Sequence, residues 1–271
     1  MKNSSIPIKR NLTVSYIISF VIATLMTGIS LAGLLYQRNS YPAEELRRSF
    51  VSNDVVNLFI GLPILLGSMW LTRRGQLIGL LFWPGALFYV IYNYIAYCIA
   101  MPFSFLFIPY LALVVLSVYA IIGLFSRMNL VVIQERLSRA VPERFGGGVL
   151  VGLGALFFLQ GIGQVAGVLF GQAILSKPDL AVLIADLLIT PAWIVGGVML
   201  WKRQAFGYIS GMGLLFQASM LFVGLLVFFI LQPFLATVPF PLSDFVVIAG
   251  MGLVCFIPFA LFVRAVLLRG K

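Results

Sequence analysis

The sequence predicts an all-α protein, a polytopic transmembrane bundle of eight helices, and three observations predict it. Of its 271 residues, 62% are hydrophobic and only 10% charged, with a mean hydropathy of +1.09. A water-soluble domain carries about a quarter charged residues, so lipid must be part of the solvent of this chain. The apolar residues gather in eight runs, each long enough to cross roughly 30 Å of hydrocarbon at about 1.5 Å per residue. The Lys and Arg residues fall almost entirely between those runs. In a soluble protein a net charge of +10 would suggest nucleic acid. Placed as it is here, the charge belongs to membrane topology, and the expected partner is the lipid bilayer with no nucleic acid.

In order, the runs lie near residues 14–36, 54–72, 76–99, 104–126, 148–171, 179–201, 205–231 and 243–265. The first follows Lys2, Lys9 and Arg10, as a secretory signal would. It is too long for a signal's apolar core and no small-residue cleavage site follows it, so it is expected to stay as a helix. The link from Gln37 to Asn53 holds Glu44, Glu45, Arg47 and Arg48 in a short helix-like stretch after Pro42. Thr72-Arg73-Arg74-Gly75 and Trp201-Lys202-Arg203-Gln204 suffice only for tight helical hairpins. Residues 127–147 mix Leu130, Val131, Ile133, Leu137 and Val141 with Glu135, Arg136 and Arg139. They read as an amphipathic helix on the inner leaflet, closed by Pro142 and a flexible Gly146-Gly147-Gly148.

Alternating spans put fourteen of the eighteen Lys and Arg residues on one side; Arg38, Arg47, Arg48 and Lys177 are on the other. Positive charge stays cytoplasmic, so the expectation is a cell (inner) membrane protein with both termini in the cytoplasm. The sequons at Asn3 and Asn11 then fall on the cytoplasmic side and are discounted.

The second and sixth runs match each other. Asn57-Leu58 corresponds to Asp186-Leu187, Gly67-Ser68 to Gly196-Gly197, and Leu71 with Arg73-Arg74 to Leu200 with Lys202-Arg203. Pro63 and Pro191 are out of step by one position. After Gly75 is dropped, the match continues through Gln76 with Gln204, Gly79 with Gly207, Gly85 with Gly213, and Leu87-Phe88 with Leu215-Phe216. The expected organisation is a parallel 4+4 internal duplication: residues 1–126 as one four-helix repeat, 127–147 as a cytoplasmic linker, and 148–271 as the second repeat. Some transporters built this way hold their substrate at the repeat interface.

Polar residues inside the runs fall mostly in the half of the bilayer away from the basic links. Tyr89, Asn93 and Tyr97 share one helix face. Asp54, Asn57 and Asp186 lie at similar depth, and Gln217 lies nearer the middle, where the duplication sets it against Tyr89. Together they suggest an outward-facing cavity that binds a small polar or cationic solute, with Asp186, Asn57, Asn93, Tyr89, Tyr97, Gln217 and Asp54 as ligand-binding residues. Plainer readings compete. Tyr92, Tyr94 and Tyr97 also suit an aromatic belt, and Asp54, Asp179 and Asp244 each suit a helix start. Asp179 also closes a capping box with Ser176. Gln160 and Gln164 sit on a glycine-rich helix and suit amide bonding to a neighbouring helix. Asp186 is well inside its run, where an ionised carboxylate costs several kcal/mol unless paired or wetted. The face carrying Gly163, Gly167 and Gly171 suits close packing with a second copy or a membrane partner.

The stretch from Asp54 to Tyr110 carries Arg73-Arg74-Gly75, Trp83-x-Gly85 and Tyr89-x-x-Tyr92-Asn93-Tyr94-x-x-Tyr97. In these motifs it resembles a group of small, uncharacterised multi-pass prokaryotic membrane proteins, and the resemblance implies no activity.

Some chemistries are excluded outright. There is no histidine, which removes His-based zinc sites, bis-histidine haem and histidine-activated nucleophiles. Cys98 and Cys255 lie in apolar runs and read as small hydrophobes. No GxGD, HExxH, GxSxG, glycine-rich phosphate loop or CDP-alcohol transferase pattern occurs. No cofactor or metal is expected. Three functions stay open: transport or binding of a solute, an accessory or sensory subunit, and an embedded enzyme using Asp54 and Asp186.

Overall fold

Each apolar run forms a helix, because backbone N–H and C=O groups in hydrocarbon find no water and must pair within their own segment. In the computed structural model, which describes residues 7–9, 11–235 and 239–269, eight helices are long and apolar enough to span a membrane. The first is α1 (Thr13–Leu35), followed by a short α2 (Gln37–Ser40). The second span is composite. It runs from α3 (Glu44–Val56) through a π-helical turn (Asn57–Gly61) into α4 (Leu62–Arg73). Then come α5 (Leu77–Ala100), α6 (Phe107–Arg127) and the connecting α7 (Leu130–Leu137). The last four spans are α8 (Glu143–Leu169), α9 (Lys177–Trp201), α10 (Ala205–Leu235) and α11 (Leu242–Arg269). Lys2, Arg10, Lys271 and the Asn3 sequon lie outside the described residues.

Short links make consecutive spans antiparallel, so the basic links collect at one end of the bundle, here the basic end. The start of the described chain is tied there: Lys9 N donates to Arg127 O at 2.7 Å and Asn129 N to Pro7 O at 2.8 Å. The linker is tied there too. Ile133 and Leu137 of α7 are buried, and Gln134 Nε2 donates to Arg203 O at 2.7 Å. Glu143 accepts from Arg139 N at 2.6 Å and from the Tyr208 hydroxyl at 3.0 Å.

Helices α5 and α10 form the centre, and both are buried over much of their length. They cross at Gly85 and Gly213. A Cβ on Gly85 would lie 2.5 Å from the Gly213 Cα, and one on Gly213 would lie 2.9 Å from the Gly85 nitrogen. Backbone rests on backbone, which only glycine allows on both sides.

Two expectations need correction. Gly146-Gly147-Gly148 is not a flexible hinge, since α8 begins at Glu143 and includes it. Those glycines serve packing: a Cβ on Gly147 would lie 2.6 Å from Gly197 O, and Gly154 and Gly161 repeat the close approach to α9. The seam of α8 is therefore Gly147, Gly154 and Gly161, at heptad spacing. By contrast, nothing lies within 4 Å of a Cβ on Gly163, Gly167 meets only Ala173, and Gly171 lies past the helix in a turn at φ +69°. Finally, Asp54 does not start a helix. The far-end stretch after Pro42 is helical as expected, but it is continuous with the second span, so Asp54 lies well inside. The expected capping pair does form: Ser176 caps α9, its Oγ accepting from the Asp179 N–H at 3.3 Å and donating to Asp179 Oδ2 at 2.6 Å.

The two tight turns at the basic end have the same geometry. Arg74 N, Gly75 N and Gln76 N donate to Trp70 O, Thr72 O and Leu71 O. Lys202 N, Arg203 N and Gln204 N donate to Val198 O, Leu200 O and Met199 O. Gly75 and Arg203 hold the left-handed position, at φ 83° and 57°. Gly75 thus occupies in its turn the position that Arg203 occupies in the other.

Candidate functional site

The polar residues at the far end are held by α5, which lends phenols to helices on either side. The most enclosed group centres on Asp54. Ala43 is extended ahead of α3 and Glu44 and Glu45 occupy its first turn, so the helix starts outside the apolar layer and carries Asp54 into it. The Asp54 side chain is fully buried. Its Oδ2 accepts from the Tyr41 hydroxyl at 2.5 Å and its Oδ1 from the Tyr97 hydroxyl at 2.8 Å. Burial, with the Asp54 carboxyl next, pushes the Tyr41 phenol well above the usual tyrosine range, so it stays a donor. Phe50 lies between the two phenols, with ring centroids 6.1 Å from Tyr41 and 4.6 Å from Tyr97. Tyr94 and Tyr110 stack on Tyr97 at 5.1 Å and 5.2 Å. Among the described residues no basic side chain bonds this carboxyl. Arg47 Nη1 donates to the carbonyls of Tyr41 and Pro42, and Arg48 pairs with Glu44.

One turn deeper, Asn57 opens the π turn and accepts from the Tyr89 hydroxyl at 2.9 Å, while Asn93 Nδ2 donates to Tyr89 O at 3.4 Å. Gly61 closes the π turn against the Tyr89 ring. Toward α9, the half-buried Asp186 accepts from the Tyr92 hydroxyl at 3.0 Å. Gln217 is buried and accepts from Trp193 Nε1 at 2.5 Å.

The seven expected residues therefore fall into four groups. Asp54 joins Tyr97, Asn57 joins Tyr89 and Asn93, and Asp186 and Gln217 stand apart from both. Reasoning from sequence missed Tyr41, Tyr92 as the partner of Asp186, and Trp193. Tyr41 lies in a polar link where only the following proline marks it, and nothing local pairs Trp193 with a glutamine 24 residues away. Among the described residues six buried polar atoms lack a partner: Ser30 Oγ, Arg48 Nε, Asn57 Nδ2, Tyr94 Oη, Ser117 Oγ and Gln217 Nε2. Gln160 is exposed on α8 and Gln164 half-exposed, and neither bonds another helix among the described residues. Nearer the basic end an apolar groove of about 160 Å³ lies between α5, α6, α9 and α10, lined by Pro84, Phe88, Phe125, Phe206 and Leu214 among others.

Fold and site together define a multi-pass helical membrane protein with a layer of hydrogen-bonded polar side chains away from its basic end. No protein-family model matches the chain, and no curated protein or solved structure matches it significantly.

Proposed function

We propose that this chain binds a small polar solute in the far-end half of its bundle and carries it across the membrane. The observation that carries the reading is the pair of buried amides without acceptors, Asn57 Nδ2 and Gln217 Nε2. An indole N–H only donates, so Trp193 pins Gln217 with its oxygen toward the ring and its NH2 toward the core. At Asn57 the Tyr89 hydroxyl both donates and accepts, so one polar atom stays unpaired whichever way the amide turns. Each such group costs about 2 kcal/mol or more unless a guest satisfies it. Amide donors call for oxygen acceptors, which favours a neutral, oxygen-bearing solute over a cation. With the basic end in the cytoplasm, this layer faces outward.

We infer the 4+4 duplication as well, and it supports the same reading. Matched residues touch only beside a symmetry axis, and the matched pair Gly85 and Gly213 is in contact. Neighbour pairs repeat as well: α4 packs on α5 as α9 does on α10, and α5 on α6 as α10 does on α11. The π turn at Asn57 supplies a segment able to shift between two helical registers.

The test is uptake into liposomes of a panel of small oxygen-bearing neutral solutes. Gln217→Leu and Asn57→Leu should each abolish uptake while thermal unfolding stays cooperative. Unchanged flux in both variants would sink the reading.

One observation favours the accessory reading. Gln160, Gln164 and Gly163 face outward on α8, and glutamine amides in hydrocarbon seek a partner. The embedded-enzyme reading is the weakest. Tyr92 and Tyr97, which hold Asp186 and Asp54, lie about 140° apart around α5, so the two acids address different sides of that helix.

A further inference from the structure

We propose that Asp54 is a reversible proton-binding site closed by Tyr41, a role that stands whether or not the solute reading holds. The hydrogen count around the carboxyl carries the argument. Every titratable side chain facing Asp54 is a phenol: Tyr41 from the far-end link, Tyr94 and Tyr97 from α5, with Tyr110 of α6 behind them and Tyr89 a turn deeper. From α1 come only Ser30 and Gly33. The α10 helix, which packs on α3, carries no charged residue, and Asp186 of α9 is engaged by Tyr92. Of the basic residues on α3 itself, Arg47 holds backbone carbonyls, and Arg48 holds Glu44 through Nη2 while its Nε is buried without a partner and makes no bond to Asp54. A carboxylate here has no cation to balance it. A proton serves instead.

Two hydrogen-bonding patterns fit the same heavy atoms. The Tyr41 hydroxyl has one acceptor, Asp54 Oδ2 at 2.5 Å, and donates to it in both. The Tyr97 hydroxyl has two acceptors in reach, Asp54 Oδ1 at 2.8 Å and Phe50 O at 3.3 Å. With Asp54 ionised, Tyr97 donates to Oδ1. When a proton from water binds Oδ1, the acid donates to the Tyr97 oxygen, and Tyr97 turns its hydrogen to the Phe50 carbonyl. One proton is gained, one hydroxyl rotates, no other bond changes, and the Tyr41, Asp54 and Tyr97 hydroxyls each keep an acceptor. Ser30 Oγ and Tyr94 Oη are fully buried without a close hydrogen-bond partner, and Ser30 lies beside both the carboxyl and Tyr94, so they offer further oxygens for the proton's path.

Tyr41 is the closure. It is fully buried although it belongs to the link, and Arg47 holds its carbonyl at 3.2 Å. Gly33 seals the opposite wall: a Cβ there would strike the Asp54 carboxyl and come within 2.5 Å of the Tyr41 hydroxyl. Movement of this link would open the carboxyl to the far-end solution.

Infrared spectroscopy of the full chain in lipid, titrated with pH in H2O and D2O, tests this through the C=O stretch of a neutral carboxylic acid. The expected result is a band that rises as pH falls, vanishes in Asp54→Asn, survives in Asp186→Asn, and shifts its titration midpoint in Tyr97→Phe. In Tyr41→Phe the band should exchange with deuterium faster. Asp54→Glu, which keeps the acid, should retain a titrating band, and this guards against misfolding of the asparagine variant. A band that is absent at every pH, insensitive to pH, or unchanged in a folded Asp54→Asn overturns the proposal. Loss of solute uptake with an intact band would overturn only the solute reading.

Discussion

At Gly33 the absence of a side chain is dictated by what stands opposite, the Asp54 carboxyl and the Tyr41 hydroxyl. Gly33→Ala should therefore push one of them aside, at a cost of about 1–3 kcal/mol, read as a lowered thermal unfolding temperature in detergent. A neutral result would mean that the link is loose and Tyr41 no closure. Trp193→Phe leaves the buried Gln217 Oε1 without its donor and should cost about 1–3 kcal/mol. Much of this layer was legible as residue types: acids, amides and phenols at helical spacing in apolar runs can only be satisfied by one another or by a guest. Their pairing was not legible. Asp186 and Asp54 look alike in sequence, yet one is half-buried against a single phenol and the other sealed between two.

The elements show why proximity in sequence misleads. Gly163, Gly167 and Gly171 form the more obvious small-residue stripe, but Gly147, Gly154 and Gly161 make the contact with α9. Gly154→Leu should lower stability by about 2 kcal/mol or more, because its Cβ would sit 3.1 Å from Thr190 O and 2.8 Å from Ile194, whereas Gly163→Leu should leave monomer stability unchanged. If Gly163→Leu instead dissociates an oligomer in size-exclusion light scattering, the outward face of α8 is an interface. Equal effects from the two glycines on stability would contradict the seam. The π turn makes a second test. Deleting Ile60 should convert it to a regular α turn and rotate α3 by about 100° relative to α4. That swings Asp54 away from Tyr97, so the proton-linked infrared band should be lost while the helical content stays near wild type.

For the whole molecule, the crossing of α5 and α10 decides how the halves fit. Gly85→Leu should be among the most damaging single changes, since its Cβ would meet Gly213 backbone on a helix with no room to move. Orientation is testable directly. With Cys98 and Cys255 replaced by Ala, a cysteine at the exposed Asn39 should label from outside intact cells and one at the exposed Ser138 only after the cells are opened. The reverse pattern would invert the topology inferred from charge. The sequence by itself determined the eight spans and their alternation. Those follow from hydropathy, span length and the placement of Lys and Arg, which act on each segment separately. Which polar groups meet, which glycines bear backbone contacts, and how a link tyrosine comes to cover a buried acid were decided by tertiary structure alone. Apolar helices have nearly interchangeable surfaces in lipid, so only their mutual packing selects one set of contacts.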